Sequence, residues 1–313
     1  MALRPAASII MRGAEPLTPL TRQRPHDREG ERRVLDADAA QRLARLREQF
    51  PYIPAERRDL VAWLPASTEP SHLLGRLAAS TSRARLDLVG AANREGGSGG
   101  QLGIFVELDD EFLKTGVRHR HESPAFALAR ERSLEELRQS LGIYHPDRVW
   151  FVSNGTDGAA WACSVTPILP VVRERLNAGG SEGPDRAAWE LYLEAFRMSF
   201  EVAQSEGVLL DCNPNNFGVG ASRLHYLDDD LALGGRMPFG HQVLVRLLEY
   251  KTGRLAERVH FLEEFALLME RYASNSHLRA LVRDDLESRV SWPREPELRE
   301  HLERLLARLE RTR

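Results

Sequence analysis

The chain has 313 residues, 42% hydrophobic and 28% charged, with a formal net charge of −3. That length holds one large domain or two modest ones, the composition is that of a soluble globular protein, and the acidic balance excludes a general nucleic-acid binder. Two cysteines, Cys163 and Cys212, exclude a disulfide framework and lead us to expect a reducing compartment, the cytoplasm.

No apolar run is long enough for a membrane span. The stretch 6–11 is too short for a signal-peptide core and is followed by arginine. Residues 1–35 are rich in Arg, Pro and Gly without an apolar period and read as largely disordered; Met11 offers an alternative start. Of the 43 basic residues only Lys114 and Lys251 are lysines. Against that background a lysine is expected where a compact ammonium is needed.

Leu35, Ala39, Leu43 and Leu46 recur at helical spacing up to Phe50, where Pro51 and Pro54 end the run. The segment to about Ser80 reads as short helices, one around Leu60, Val61 and Leu64 and one around Leu73, Leu74 and Leu77. Residues 84–90 alternate as a half-buried strand. A glycine-rich link follows at 94–101, including Gly97 and Gly99. Residues 102–108 and 112–115 read as the next two strands. Ser123-Pro124 starts a helix that runs to about Ser140. Residues 149–152 and 159–165 make two more strands around an Asn154-Gly155 turn, and Thr166-Pro167-Ile168-Leu169-Pro170 links onward.

Residues 185–206 form an amphipathic helix whose aromatic face, Trp189, Tyr192, Phe196 and Phe200, reads as core. Residues 208–210 and 223–227 read as a short strand pair. Helices are expected at 242–250, 255–273 and 295–311; the last, rich in Arg and Glu, offers a surface for a second copy. The halves divide at about residue 168, with a helical extension and sheet at 36–168 and helices at 169–313.

Between the two short strands the order Asp211-x-x-Pro214-x-Asn216 is followed by Leu227-Asp228-Asp229-Asp230. Taken separately, Asn-Pro-Asn-Asn is ordinary turn chemistry and three aspartates can be a solvated loop. Together they resemble the catalytic loop and metal-binding strand of the protein-kinase-like superfamily, closest to its aminoglycoside and choline phosphotransferase branch. The departure is that the branch's His-x-Asp or His-Gly-Asp lead-in is here Leu209-Leu210-Asp211.

The resemblance implies an α+β, two-lobed protein-kinase-like fold, with a small antiparallel-sheet N-lobe of five strands and one helix and a larger, mostly helical C-lobe. It implies ATP and Mg²⁺ as cofactors and a hydroxyl acceptor as partner. Asp211 would orient the acceptor hydroxyl, and Asn216 with Asp228, Asp229 or Asp230 would hold the metal. Lys114, on the third strand, would meet the non-transferred phosphates, steadied by Glu131 or, one turn on, Glu135. Gly97 and Gly99 would cover the phosphates, and Thr166 and Leu169 would belong to the hinge at the adenine edge.

Plain readings stand beside these: an edge-strand lysine, a solvated helical glutamate, a flexible glycine loop and a proline-stiffened linker. His225 reads as a core histidine, and Arg118 to His121 as a solvated basic loop. The function expected is ATP-dependent phosphorylation of a hydroxyl on a small molecule or protein. A nucleotide-binding pseudokinase and an AMP-transferring enzyme are the alternatives.

Overall fold

The alternating stretches between residues 83 and 167 become one antiparallel sheet. The computed structural model describes residues 37–50, 52–54, 56–64, 74–77, 83–85, 103–108, 111–116, 120–155, 157–229, 231–233, 239–249, 254–272, 276–288 and 290–311. The expected disorder of 1–35, Gly97 and Gly99 in the glycine link, His119 and Asp230 lie outside them. The architecture is α+β. Seven strands, β1 (Leu60–Leu64), β2 (Arg83–Arg85), β3 (Gly103–Leu108), β4 (Glu111–Gly116), β5 (Arg120–His121), β6 (Val149–Asn154) and β7 (Ala160–Pro167), make the sheet. Its order is β1-β6-β7-β4-β3-β2, with β5 also paired to β7.

The two faces of this sheet do different work. Side chains alternate along a strand, so Trp161, Cys163 and Val165 of β7 point one way and Ala160, Ala162, Ser164 and Thr166 the other. Cys163, Val165 and Phe151 pack on the back face against Leu43 and Leu46 of α1 (Ala37–Gln49) and against Phe50, Tyr52 and Ile53. On the front face Ala160 and Val152 pack against Ala127 of α2 (Pro124–Leu141). Trp150, on the same face of β6, belongs to the core of the helical half. Helix α2 starts where Pro at its first turn and the Ser123 cap, whose Oγ accepts from the Phe126 N–H at 3.4 Å, favour it, and it ends on left-handed Gly142.

One expectation is corrected here. Residues 60–64 are a strand paired with β6, Leu64 opposite Trp150 and Trp63 opposite Phe151, and not a helix. Leu60 and Trp63 pack on the back cluster while Val61 and Ala62 pack on the front. An edge covered on both faces has no alternation to read. Five apolar residues are also too few for a helix to bury one face.

The helical half is built on α4 (Arg186–Glu206), capped by Asp185, whose Oδ1 accepts from the Ala188 N–H at 2.8 Å, and closed by left-handed Gly207. Its aromatic face packs as expected: Tyr192 stacks on Phe261 at 5.7 Å and Phe196 meets Phe265 edge-on at 5.1 Å. Each such ring, withdrawn from water, contributes about 2–3 kcal/mol. Phe261 and Phe265 belong to α6 (Leu255–Arg271); α5 (Phe239–Glu249) and α8 (Pro296–Arg311) also fall where the periodicity put them. Helices α3 (Val172–Asn177) and α7 (Ser276–Glu287) are not among the expected helices: the six residues of α3 are too few to show a period, whereas α7 does carry Leu278, Leu281, Val282 and Leu286 at helical spacing.

Between α4 and α5 the chain makes two small sheets. Strand β8 (Val208–Leu209) pairs with β11 (Ala232–Leu233), and β9 (Phe217–Val219) pairs with β10 (Leu224–Tyr226). The expected pairing of 208–210 with 223–227 is thus replaced: each takes a different partner, and the segments 210–216 and 227–229 lie side by side, tied by the Leu227 N–H to the Asn216 carbonyl.

Candidate functional site

The first of those segments is a tight turn. The Asp211 Oδ1 accepts from the Asn213 N–H at 3.0 Å, and Asn213 in turn caps a short 3₁₀ turn over Pro214–Asn216 through the Asn215 N–H at 3.1 Å. Asn and Asp do this readily because a short side chain reaches its own backbone two residues on. The Asn216 amide nitrogen donates to the Asp211 carbonyl at 3.4 Å, and its amide oxygen is the atom that could offer an electron pair to a cation. The Leu227 N–H donates to the Asn216 carbonyl at 2.8 Å and so ties the acidic segment to the turn.

Asp211 is half-buried and Asp228 is half-buried beside it. Burial pushes the Asp211 carboxyl above its usual range and the Asp228 charge pushes it further, against the pull of the Asn213 N–H, the Asn216 amide and the Arg246 guanidinium. Gln242 on α5 also reaches its Oδ1, at 3.5 Å. Two neighbouring carboxylates and an amide oxygen in a partly desolvated corner form a negative site suited to a cation or to a proton in transit.

Asp229 is committed elsewhere. Its carboxylate accepts from Arg148 at 2.5 Å, from the Trp150 indole N–H at 2.8 Å and from the Ser164 hydroxyl at 2.9 Å. Trp150 and Ser164 stand on the front face of the sheet, so this aspartate fastens the acidic segment to β6 and β7. Arg148 also donates to the Leu227 carbonyl at 2.9 Å and lies over the rings of Tyr144 and Trp150. Of the two described aspartates, Asp228 is near enough for its charge to raise the Asp211 carboxyl, and Asp229 anchors.

Lys114 lies on β4 directly opposite Ser164 in the register, and directly opposed residues share a face. Its position is therefore on the front face, the face that meets Asp229. Glu131 is buried, and its Oε2 accepts from Arg138 at 2.8 Å; the Arg138 guanidinium in turn lies 4.7 Å over Trp150. Glu135 takes the Gln139 amide at 3.1 Å.

Thr166 is 1% exposed near the end of β7, and its Oγ1 has no hydrogen-bond partner among the described residues. Beyond it, the linker rests on β9: the Val219 N–H donates to the Pro170 carbonyl at 2.7 Å, and Val171 bridges Gly218. Leu169 is half-buried there. A Cβ on Gly218 would stand 2.8 Å from Leu169 and 3.2 Å from Leu227, so only glycine lets the hairpin come this close.

His225 is buried as expected, 4.9 Å from the His145 ring, and burial followed by that neighbour lowers its pKa. His121 departs from the solvated loop expected of it: it is buried, with the Phe126 ring tilted against it at 5.5 Å and Arg130 at 3.4 Å. The Cys212 thiol is buried and pushed up out of the nucleophilic range by desolvation. Sequence reasoning missed Arg148, Trp150, Ser164 and Gln242, which carry no spacing signal of their own.

Among the described residues, no group of three or more His, Cys, Asp and Glu side chains gathers as a metal site, and no helix is long and apolar enough to cross a membrane. No protein-family model, curated protein or solved structure matches the chain.

Proposed function

We propose that this chain is an ATP- and Mg²⁺-dependent phosphotransferase of protein-kinase-like architecture that acts on a hydroxyl group. The observation that carries the reading is the meeting of Asp211, Asn216 and Asp228 on two tied segments. The next residue of the acidic segment, Asp229, is fastened to Ser164 on the sheet, and Lys114 lies opposite Ser164 in the register.

The donor set fits the implied metal. Mg²⁺ held against phosphates takes few protein ligands, often one carboxylate and an amide oxygen, with phosphate oxygens and water completing its shell. Asp228 and Asn216 are such a pair. When bound, Mg-ATP supplies the phosphoryl group and the charge that neutralises it.

The chain's own residues do the rest. Asp211 accepts the hydrogen bond of the acceptor hydroxyl and holds it in line, and its raised carboxyl pKa is suited to taking up that proton. Asp229, fixed by Arg148, Trp150 and Ser164, keeps Asp228 in place. Lys114 offsets the charge of the phosphates that are not transferred, with Glu131 and Arg138 as the buried anchor of α2. The linker at Thr166–Leu169, seated on Gly218, closes the adenine end.

Titration of Mg-ATP by calorimetry, with phosphate release from Mg-ATP as the turnover assay, tests the reading. Wild type should bind and slowly hydrolyse, Asp211→Asn should bind without turnover, and Asp228→Asn should lose binding. A wild-type chain that takes up no Mg-ATP rules the proposal out; one that binds it and never turns over, with any hydroxyl acceptor offered, is a pseudokinase.

A further inference from the structure

Two buried phenols hold the turn that carries Asp211. The Asp211 N–H donates to the Tyr226 hydroxyl at 3.2 Å, and the Tyr192 hydroxyl donates to the Cys212 carbonyl at 3.1 Å. Neither ring is exposed. One comes from β10 and the other from α4, so consecutive residues of the turn are pinned from two separate elements. The residues that lead into the turn, Leu209 and Leu210, are aliphatic and offer it no side-chain hydrogen bond.

Tyr226 is itself immobilised. Its ring lies 5.4 Å from Phe217 and 6.1 Å from Tyr144, its N–H donates to the Ile143 carbonyl at 2.9 Å, and its carbonyl accepts from Arg148 at 3.3 Å. It stands two residues before Asp228. Its hydroxyl holds the backbone of Asp211 and leaves the carboxylate to the substrate. A phenylalanine would bury the same apolar surface, so packing alone does not account for a phenol whose oxygen meets a backbone N–H.

We infer that Tyr226, assisted by Tyr192, is the positioning residue that sets Asp211 against Asp228, by a phenol-to-backbone bond between the turn and the strand leading to Asp228. The functional consequence rests on the phosphotransfer reading; the bond itself does not. Where the turn is loosened by about an ångström, near-attack geometry is lost at a cost of up to about 10²-fold in rate.

The test compares wild type with Tyr226→Phe and, as the milder variant, Tyr192→Phe. Two readouts are taken: amide hydrogen exchange at Asp211 without ligand, and steady-state phosphate release from Mg-ATP with water as acceptor. In Tyr226→Phe the Asp211 amide should exchange about tenfold faster or more while the β9 and β10 amides keep their protection. Its kcat should fall about 10- to 100-fold with KM for Mg-ATP within about twofold. Unchanged exchange at Asp211 with unchanged kcat overturns the inference. So does a joint collapse of kcat and KM with loss of near-ultraviolet ellipticity, which marks a purely structural phenol. Should wild type neither bind nor hydrolyse Mg-ATP, the phosphotransfer reading fails by itself, and the exchange comparison alone keeps or overturns the brace.

Discussion

The Arg148 guanidinium and the Asp229 carboxylate meet at 2.5 Å with side chains 0% and 6% exposed. Removing one member of such a pair leaves the other buried and uncompensated, a loss of about 3–5 kcal/mol. Asp229→Asn keeps the volume and one of the two accepting oxygens but discards the charge, so we expect a fall of about 3 kcal/mol in unfolding free energy, read from urea denaturation. Adding Arg148→Met should restore part of it, because two charges then leave together. Asp228→Asn, one residue away, should change stability by no more than about 1 kcal/mol. Equal destabilisation by both asparagines would contradict the division between anchor and site.

Asp211 makes the opposite trade. Its folded-state pKa lies above the unfolded value, chiefly through burial and then through Asp228. The fold therefore favours the protonated acid; that stabilisation is present below the unfolded pKa and is lost as pH rises through the folded one. Asp211→Asn removes the loss. The variant should match wild type in stability near about pH 4 and exceed it by about pH 7, in denaturation series across that range, while turnover falls about 10²–10⁴-fold. For wild type, kcat should rise with pH along a limb whose midpoint lies above the ordinary carboxylate range. A stability gain at acid pH that vanishes at neutral pH would reverse the sign and defeat the argument.

Much of this arrangement was legible from local signals. β3, β4, β6 and β7 are short runs of strand-forming residues bounded by turns, α2 and α4 carry their own caps, and Asp211, Asn216 and Asp228 sit close in sequence. What was not legible depends on distant partners. Arg148, Trp150 and Ser164 lie 81, 79 and 65 residues from Asp229, so nothing in the run Asp228-Asp229-Asp230 tells an anchor from a ligand. β1 was misread because the fold covers it on both faces. Its five residues show neither period, and only their pairing with β6 makes them a strand.

Gly218 sits where the linker crosses β9. A methyl group there would come 2.8 Å from both Cβ and Cδ1 of Leu169, closer than real side chains approach. Gly218→Ala must push the linker and hairpin apart, an overpacking cost of about 1–3 kcal/mol. The displaced linker bears the proposed adenine edge, so affinity for Mg-ATP should fall as well, measured by calorimetry. Leu169→Gly in the Gly218→Ala background should recover part of the stability, since it removes both struck atoms, whereas Leu169→Ala leaves the Cβ in place. Failure to recover would place the strain elsewhere.

Thr166 carries a buried hydroxyl that no group among the described residues satisfies. A hydroxyl left unpaired in the interior costs about 1–3 kcal/mol, and exchanging it for a methyl of nearly the same shape removes that cost. Thr166→Val should therefore raise the unfolding free energy of the ligand-free chain by about 1 kcal/mol in urea denaturation. If the hydroxyl is kept for a bound nucleotide at the mouth of the linker, the same change should weaken Mg-ATP binding. The two shifts then oppose each other: the variant is stabler alone and gains less from ligand. A variant that is less stable without ligand would mean that the hydroxyl is satisfied, and the cost assigned to it would be void.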